Sequence, residues 1–207
     1  MRIIFVRHGE TDWNVNLMYQ GQSDVSLNEV GMDQCKALAS KFIPTVPISS
    51  LYSSDLSRAK QTAEAVSQVL RLPIVCEKSF RERHFGRCEG LTIDEIGNRY
   101  PDDAFALKNN IADYVIPDGG ESINQFSERV ALSIQSLVLR HPHETVVVVT
   151  HGGVLDMVYR HMTNSLPESP MHTSVRNTGI CSVMIGPDDW TQEFWNFAPH
   201  LESNPCA

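Results

Sequence analysis

Short unbroken apolar runs alternate along this chain with stretches whose apolar residues recur at helical spacing. Residues 2–6 hold four apolar side chains in a row, too few for a helix, and predict a buried strand. Asn28 then caps a helix that buries Cys35, Leu38, Ala39 and Phe42, and Pro44 and Pro47 end it. Residues 48–52 and 72–76 predict two more short strands. Between them Ser54 is placed to cap a helix with Ala59, Ala63, Val66 and Leu70 on one face. Residues 80–90 read as a loop. A short helix over 92–100 stops at Pro101, and a polar, irregular stretch runs to Gly119-Gly120. Ser122 opens a long helix with Ile123, Phe126, Val130, Ile134 and Leu137 inward, closed before Pro142. The four valines within 145–149 are the pattern of a strand buried on both faces. A helix over 154–162 and strands over 181–185 and 192–196 complete the series.

Strands that alternate with helices imply an α/β fold, a three-layer α/β/α sandwich. The tight turn Gly186-Pro187-Asp188-Asp189 links the last two strands. A mostly parallel central sheet with one antiparallel strand near the C-terminus follows. No linker rich in Pro, Gly or Ser divides the chain, so residues 1–207 are expected to form a single domain. The strand-poor stretch 80–121 reads as an excursion that covers a site.

Composition narrows the class. Of 207 residues, 42% are hydrophobic and 20% charged, which suffices for a core without disulfides. No apolar stretch approaches the ~18 residues of a membrane span. The apolar start is also shorter than the roughly 7–15 residues of a secretory signal, so neither membrane insertion nor export is expected. Five widely spaced cysteines (Cys35, Cys76, Cys88, Cys181, Cys206) form no Cys-x-x-Cys pair and read as reduced thiols of a cytoplasmic protein. A net charge of −8 argues against nucleic acid as a partner.

The candidate chemistry begins with a pattern that occurs twice. One predicted strand ends in Arg7-His8-Gly9 and another in Thr150-His151-Gly152-Gly153. Ligands of open α/β sheets bind beyond the carboxyl ends of the strands. Two histidines placed there can face one pocket, each followed by a glycine that lets the backbone turn. Arg7 and Arg58 bring positive charge. Arg58 falls in the first turn of its helix, where helix amides and a guanidinium could meet one anion together. Glu82, in the loop after the third strand, is a candidate general acid. His141, His143, His161, His172 and His200 have no such partners and read as surface or packing residues, with His84 intermediate.

Arg7-His8-Gly9-Glu10-Thr11 with Asn14 resembles the signature of the histidine phosphatase superfamily, the phosphoglycerate mutase-like fold. Four further segments follow in that family's order: Tyr19-Gln20-Gly21 with Asp24-Val25-Ser26-Leu27; Ser53 to Ala63; Phe80-Arg81-Glu82 with Phe85-Gly86 and Glu89-Gly90; and Gly119-Gly120-Glu121-Ser122. Thr150-His151-Gly152-Gly153 closes the set, and the match spans roughly residues 2 to 155. The resemblance implies that His8 attacks phosphorus and that Arg7, Arg58 and His151 hold the phosphoryl oxygens. It further implies that Glu82 protonates the leaving group, while Asn14, Gln20, Gly21, Arg83 and Gly152 line the substrate site. Neither metal nor cofactor is expected, because the motifs supply arginine and histidine rather than a carboxylate cluster.

Departures guide the choice within the family. Glu82-Arg83-His84-Phe85-Gly86 resembles the Glu-Arg-His-Tyr-Gly of cofactor-dependent mutases, with Phe85 in place of tyrosine. Residues 105–110 lack the adjacent arginine pair with which mutases grip a substrate carboxylate, and Cys88-Glu89-Gly90-Leu91-Thr92 is similar to bisphosphatase-type members. The expectation is therefore a metal-independent phosphatase acting on a small phosphorylated metabolite. A phosphoglycerate mutase-type isomerase and a phosphoprotein-binding or dephosphorylating module stay open as alternatives. Specificity is expected to lie in residues 85–118 and 162–177. A homodimer is among the assemblies left open.

Overall fold

The structure, a computed structural model, describes residues 1–170, 173–186 and 189–202. Six strands form one sheet: β1 (Arg2–Arg7), β2 (Ser50–Ser53), β3 (Ile74–Cys76), β4 (Thr145–Thr150), β5 (Ile180–Ile185) and β6 (Trp190–Phe197). Their order across the sheet is β3-β2-β4-β1-β5-β6. β1, β2, β3 and β4 pair in parallel. β5 runs against both β1 and β6, so one strand opposes the other five.

Helices cover both faces, because the two central strands are apolar on both sides. On one face α2 (Glu29–Lys41) and α3 (Ser57–Leu70) pack Leu38, Ala59, Ala63 and Val66 on Ile4, Val6, Val147 and Val149. On the other, α6 (Ile123–Arg140) and α7 (Gly152–Thr163) pack Phe126, Val130, Ile134, Leu155 and Val158 on Ile3, Phe5, Val146 and Val148. Adjacent valines of β4 therefore enter opposite cores, as the period-two geometry of a strand requires. The predicted caps Asn28 and Ser122 each accept a backbone N–H, from Gly31 at 2.8 Å and Gln125 at 3.1 Å.

Three local expectations change. The short helix stops before Pro101 as expected, as α4 (Ile93–Arg99), but the stretch beyond it is not irregular: α5 (Pro101–Lys108) follows at once, with proline at its first position. The fixed φ of proline is already helical, and the amide it lacks would have no partner there. Ser54 does not cap α3. Its hydroxyl turns to His151, and Asp24 from another loop accepts the Ser57 amide at 2.6 Å. A four-residue helix, α1 (Asp12–Val15), capped by Thr11, stands where no element was predicted.

The excursion has a small core of its own, Cys88, Ile96, Ala104 and Ile116, ringed by Tyr100, Leu107 and Tyr114. Cys35, Cys76, Cys88 and Cys181 are free thiols, and no helix among the described residues is long and apolar enough to cross a membrane. His172, Cys206 and the Pro187-Asp188 pair of the last turn lie outside the described residues.

Candidate active site

β1 and β4 are parallel neighbours with Arg7 opposite Thr150, so the residues that follow them, His8 and His151, leave the sheet side by side. Both are buried, with ring centroids 5.1 Å apart and planes inclined by 58°. The His8 amide donates to the Thr150 carbonyl at 2.9 Å, which extends the ladder one residue beyond the strand.

Nδ1 of His8 lies 2.7 Å from the Gly9 carbonyl oxygen. A carbonyl only accepts, so Nδ1 carries the hydrogen and Nε2 keeps its lone pair. Burial, and then the charges of Arg58 and Arg7, hold the His8 pKa well below the usual histidine value. The imidazole is neutral at neutral pH, which is its nucleophilic form. A Cβ on Gly9 would stand 2.8 Å from the Gly31 carbonyl oxygen, so this loop packs on α2 only with glycine there. In the second motif the demanding position is Gly153 rather than Gly152. A Cβ on Gly153 would fall 2.2 Å from Glu82 Oε1, whereas one on Gly152 would make ordinary contact with Arg7.

The cations close on His8 from two sides. Arg58 is fully buried and donates through Nη1 to the Ser23 carbonyl at 2.8 Å and through Nη2 to that of Gly21 at 2.7 Å. Burial pushes its pKa down to about 10, which leaves it charged at neutral pH. Arg7 donates through Nη1 to the Val175 carbonyl. His151 meets Ser54 Oγ through Nε2 at 2.8 Å, and burial, then Arg58 and His8, holds its pKa well below the usual value. Arg7 Nε, Arg58 Nε and His151 Nδ1 are buried and have no partner among the described residues. A buried polar group left unpaired costs about 1–3 kcal/mol. An anion with several acceptor oxygens would answer all three.

Of the α3 amides expected to share an anion with Arg58, that of Ser57 is already engaged by Asp24, and the guanidinium lines the cavity without it. Across the cavity Glu82 accepts the Gly153 amide on Oε2 and the Arg83 amide on Oε1, both at 2.8 Å. The cavity measures about 270 Å³, and Arg7, His8, Asn14, Gln20, Gly21, Arg58, Glu82 and Gly152 all line it. His151 stands against His8. Arg83 instead lines an adjoining space of about 250 Å³ with Phe85, Ile123, Phe126, Met157 and Arg160. Tyr19, Glu82, Phe85 and Gly153 border both spaces. Among the described residues no group of three or more His, Cys, Asp or Glu side chains is placed to hold a metal ion.

The model of the histidine phosphatase superfamily (branch 1) matches residues 3–198. The chain belongs to this superfamily. Among its relatives, phosphoglycerate mutase-like protein 4 of Arabidopsis thaliana is 35% identical over 202 residues, which span 97% of this chain and 86% of the relative. The metal-independent phosphoserine phosphatase of the same plant is also 35% identical over 202 residues, 97% of this chain and 83% of that one. The solved structure of Bacillus stearothermophilus YhfR superposes with a TM-score of 0.86 at 29% identity, covering 97% of this chain and 99% of the other.

Several residues that shape this histidine phosphatase site were not singled out from sequence. Asn177 donates to the His8 carbonyl at 3.0 Å and to Asn14 Oδ1 at 3.3 Å, from a loop that carries no recognisable pattern. Ser54 and Gly153 sit inside the motifs, but the pattern reads Ser54 as a cap and gives Gly153 no role of its own. Their roles depend on partners about a hundred and about seventy residues away. Three of the other described histidines have structural partners: His84 accepts the Gly86 amide, His141 bridges Tyr52 and Glu144, and His200 is buried on Thr178.

Proposed function

We propose that this chain is a metal-independent phosphatase that hydrolyses a small phosphomonoester through a phosphohistidine on His8. One observation carries the reading. A neutral, buried His8 with a free Nε2 lone pair stands beside three buried nitrogens that lack partners, on Arg7, Arg58 and His151, with Glu82 facing the same cavity. Nε2 attacks phosphorus, the bond to the leaving oxygen breaks, and Glu82 gives that oxygen its proton. Arg7, Arg58 and His151 carry the charge on the transferring group, which is most of what this reaction asks of a protein. Water then attacks the phosphohistidine, loses a proton to Glu82, and frees inorganic phosphate. Asn14, Gln20, Gly21 and Gly152 border the phosphoryl group, and Arg83 faces the alcohol. The unpaired thiols favour a cytoplasmic setting.

The mutase alternative is supported by the Glu82 to Gly86 segment and by relatives of that name. Hydrolysis is favoured by what residues 105–110 bring to the leaving-group space, namely Leu107 and Asn110, while Lys108 is exposed. A panel of phosphorylated metabolites, including phosphoserine, phosphoglycerates and sugar phosphates, tests the reading with EDTA present and no bisphosphate added. Release of inorganic phosphate is expected. Isomerisation of phosphoglycerate that needs a bisphosphate primer would establish the mutase instead, and loss of activity to the chelator, restored by a divalent metal, would overturn the mechanism.

A further inference from the structure

Glu82 sits in a loop without regular structure, between 3₁₀ turns at Lys78–Phe80 and Gly86–Cys88. A general acid must nevertheless be held within hydrogen-bond reach of one oxygen. The loop is gripped by one residue of α6, Arg129. Arg129 Nη1 donates to the carbonyl oxygens of Ser79 at 2.8 Å and Arg81 at 2.9 Å, and Nη2 donates to that of Glu82 at 3.1 Å. Nε and Nη2 also hold the two carboxylate oxygens of Glu121, at 2.7 and 2.8 Å. All five N–H donors of a guanidinium are thereby used. Glu121 extends the grip past the acid: its Oε2 accepts the His84 amide at 2.9 Å, and its backbone carbonyl accepts Arg83 Nε at 3.0 Å. The backbone is fixed both before and after Glu82, and Arg129 itself does not line the phosphoryl cavity.

We propose that Arg129, through its pair with Glu121, is a positioning residue for the general acid, setting where the Glu82 carboxyl meets the leaving oxygen. The proposal rests on Glu82 as the acid. A lysine cannot replace the fork, because three ammonium donors cannot reach three carbonyls and both oxygens of a carboxylate in this plane. A displacement of ~1 Å in a reacting group costs on the order of 10²-fold in rate.

The test compares Arg129→Met, Arg129→Lys and Glu121→Gln, each alone and combined with Glu82→Gln, by kcat on an alkyl phosphate and on p-nitrophenyl phosphate. Arg129→Met is expected to slow the alkyl ester by on the order of 10²-fold and the aryl ester, whose phenol needs little protonation, several-fold at most. Arg129→Lys should recover part of the loss. In the Glu82→Gln background Arg129→Met should leave the alkyl-to-aryl ratio unchanged, because a residue that acts through Glu82 has nothing further to remove. If Arg129→Met does not fold, the near-isosteric Glu121→Gln gives the same reading with a smaller shift in ratio. Equal slowing of both esters by these variants, or an equal change of ratio with and without Glu82, overturns the positioning role and leaves the acid in place. If Glu82→Gln itself slows both esters alike, the acid assignment fails and the positioning role falls with it.

Discussion

The two ends of this site are built differently. The phosphoryl end grows from the middle of the sheet: His8 and His151 follow adjacent strands, and Arg58 stands in the first turn of α3. The Val146–Val149 run and its partners in β1 lie buried beneath it. The leaving-group end is assembled from the acid loop, the excursion, α6 and α7, which meet only in the folded chain. That end also has its own small core and a buried Asp103 that takes Arg87 at 2.7 Å and the Tyr114 hydroxyl. A cap with a separate core can change its lining without disturbing the strand ends. On the proposed reading, chemistry common to all phosphomonoesters would belong to the first end, and choice among alcohols to the second.

This division predicts different responses to substrate. The largest effect is expected at the border. Glu82→Gln should slow an alkyl phosphate by ~10²–10⁴-fold and p-nitrophenyl phosphate far less, read as a steeper dependence of kcat on the pKa of the leaving alcohol. Arg58→Lys comes next. It should cost about 10²–10³-fold in kcat, because a planar fork that serves two carbonyls and the phosphoryl oxygens is lost, and it should cost alkyl and aryl esters the same. An Arg58 variant sensitive to the leaving group would break the division.

The smallest effect is on stability against pH. His8 and His151 have pKa values held well below the ordinary one, and burial, with Arg176 and Lys41 adding to it, pushes His200 down to about 4. Unfolded histidines titrate near ~6.5, so below that pH the unfolded chain binds more protons than the folded one, and stability falls as pH falls. Thermal unfolding should shift to lower temperature from pH 7 to pH 5. His200→Gln should flatten that dependence, and a Tm unchanged or rising over this interval would contradict the buried neutral histidines.

The same division accounts for what could be read from the chain alone. His8, His151, Arg7 and Arg58 lie in or beside short local patterns whose meaning depends on strand ends and a helix start. The four-valine run and the Ser122 cap were legible for that reason. Pro101 was legible as the stop of α4 but not as the start of α5, because proline both ends and begins helices, and Ala104 joins Ile96 in one core only in the folded chain. Ser54 was placed correctly in a motif and given the wrong partner, because the His151 ring that claims its hydroxyl arrives from a strand far along the chain. Arg129 lay within the long helix with no signal, since its five acceptors come from the acid loop and Glu121.

The central claim is that phosphorus passes through Nε2 of His8. Rapid acid-free quench of the enzyme turning over a ³²P-labelled monoester, followed by peptide mapping, tests it most directly. An acid-labile, base-stable label is expected on His8 that appears before inorganic phosphate and is absent from a folded, inactive His8→Ala protein. Label retained by His8→Ala, or turnover by that protein at the wild-type rate, would contradict it.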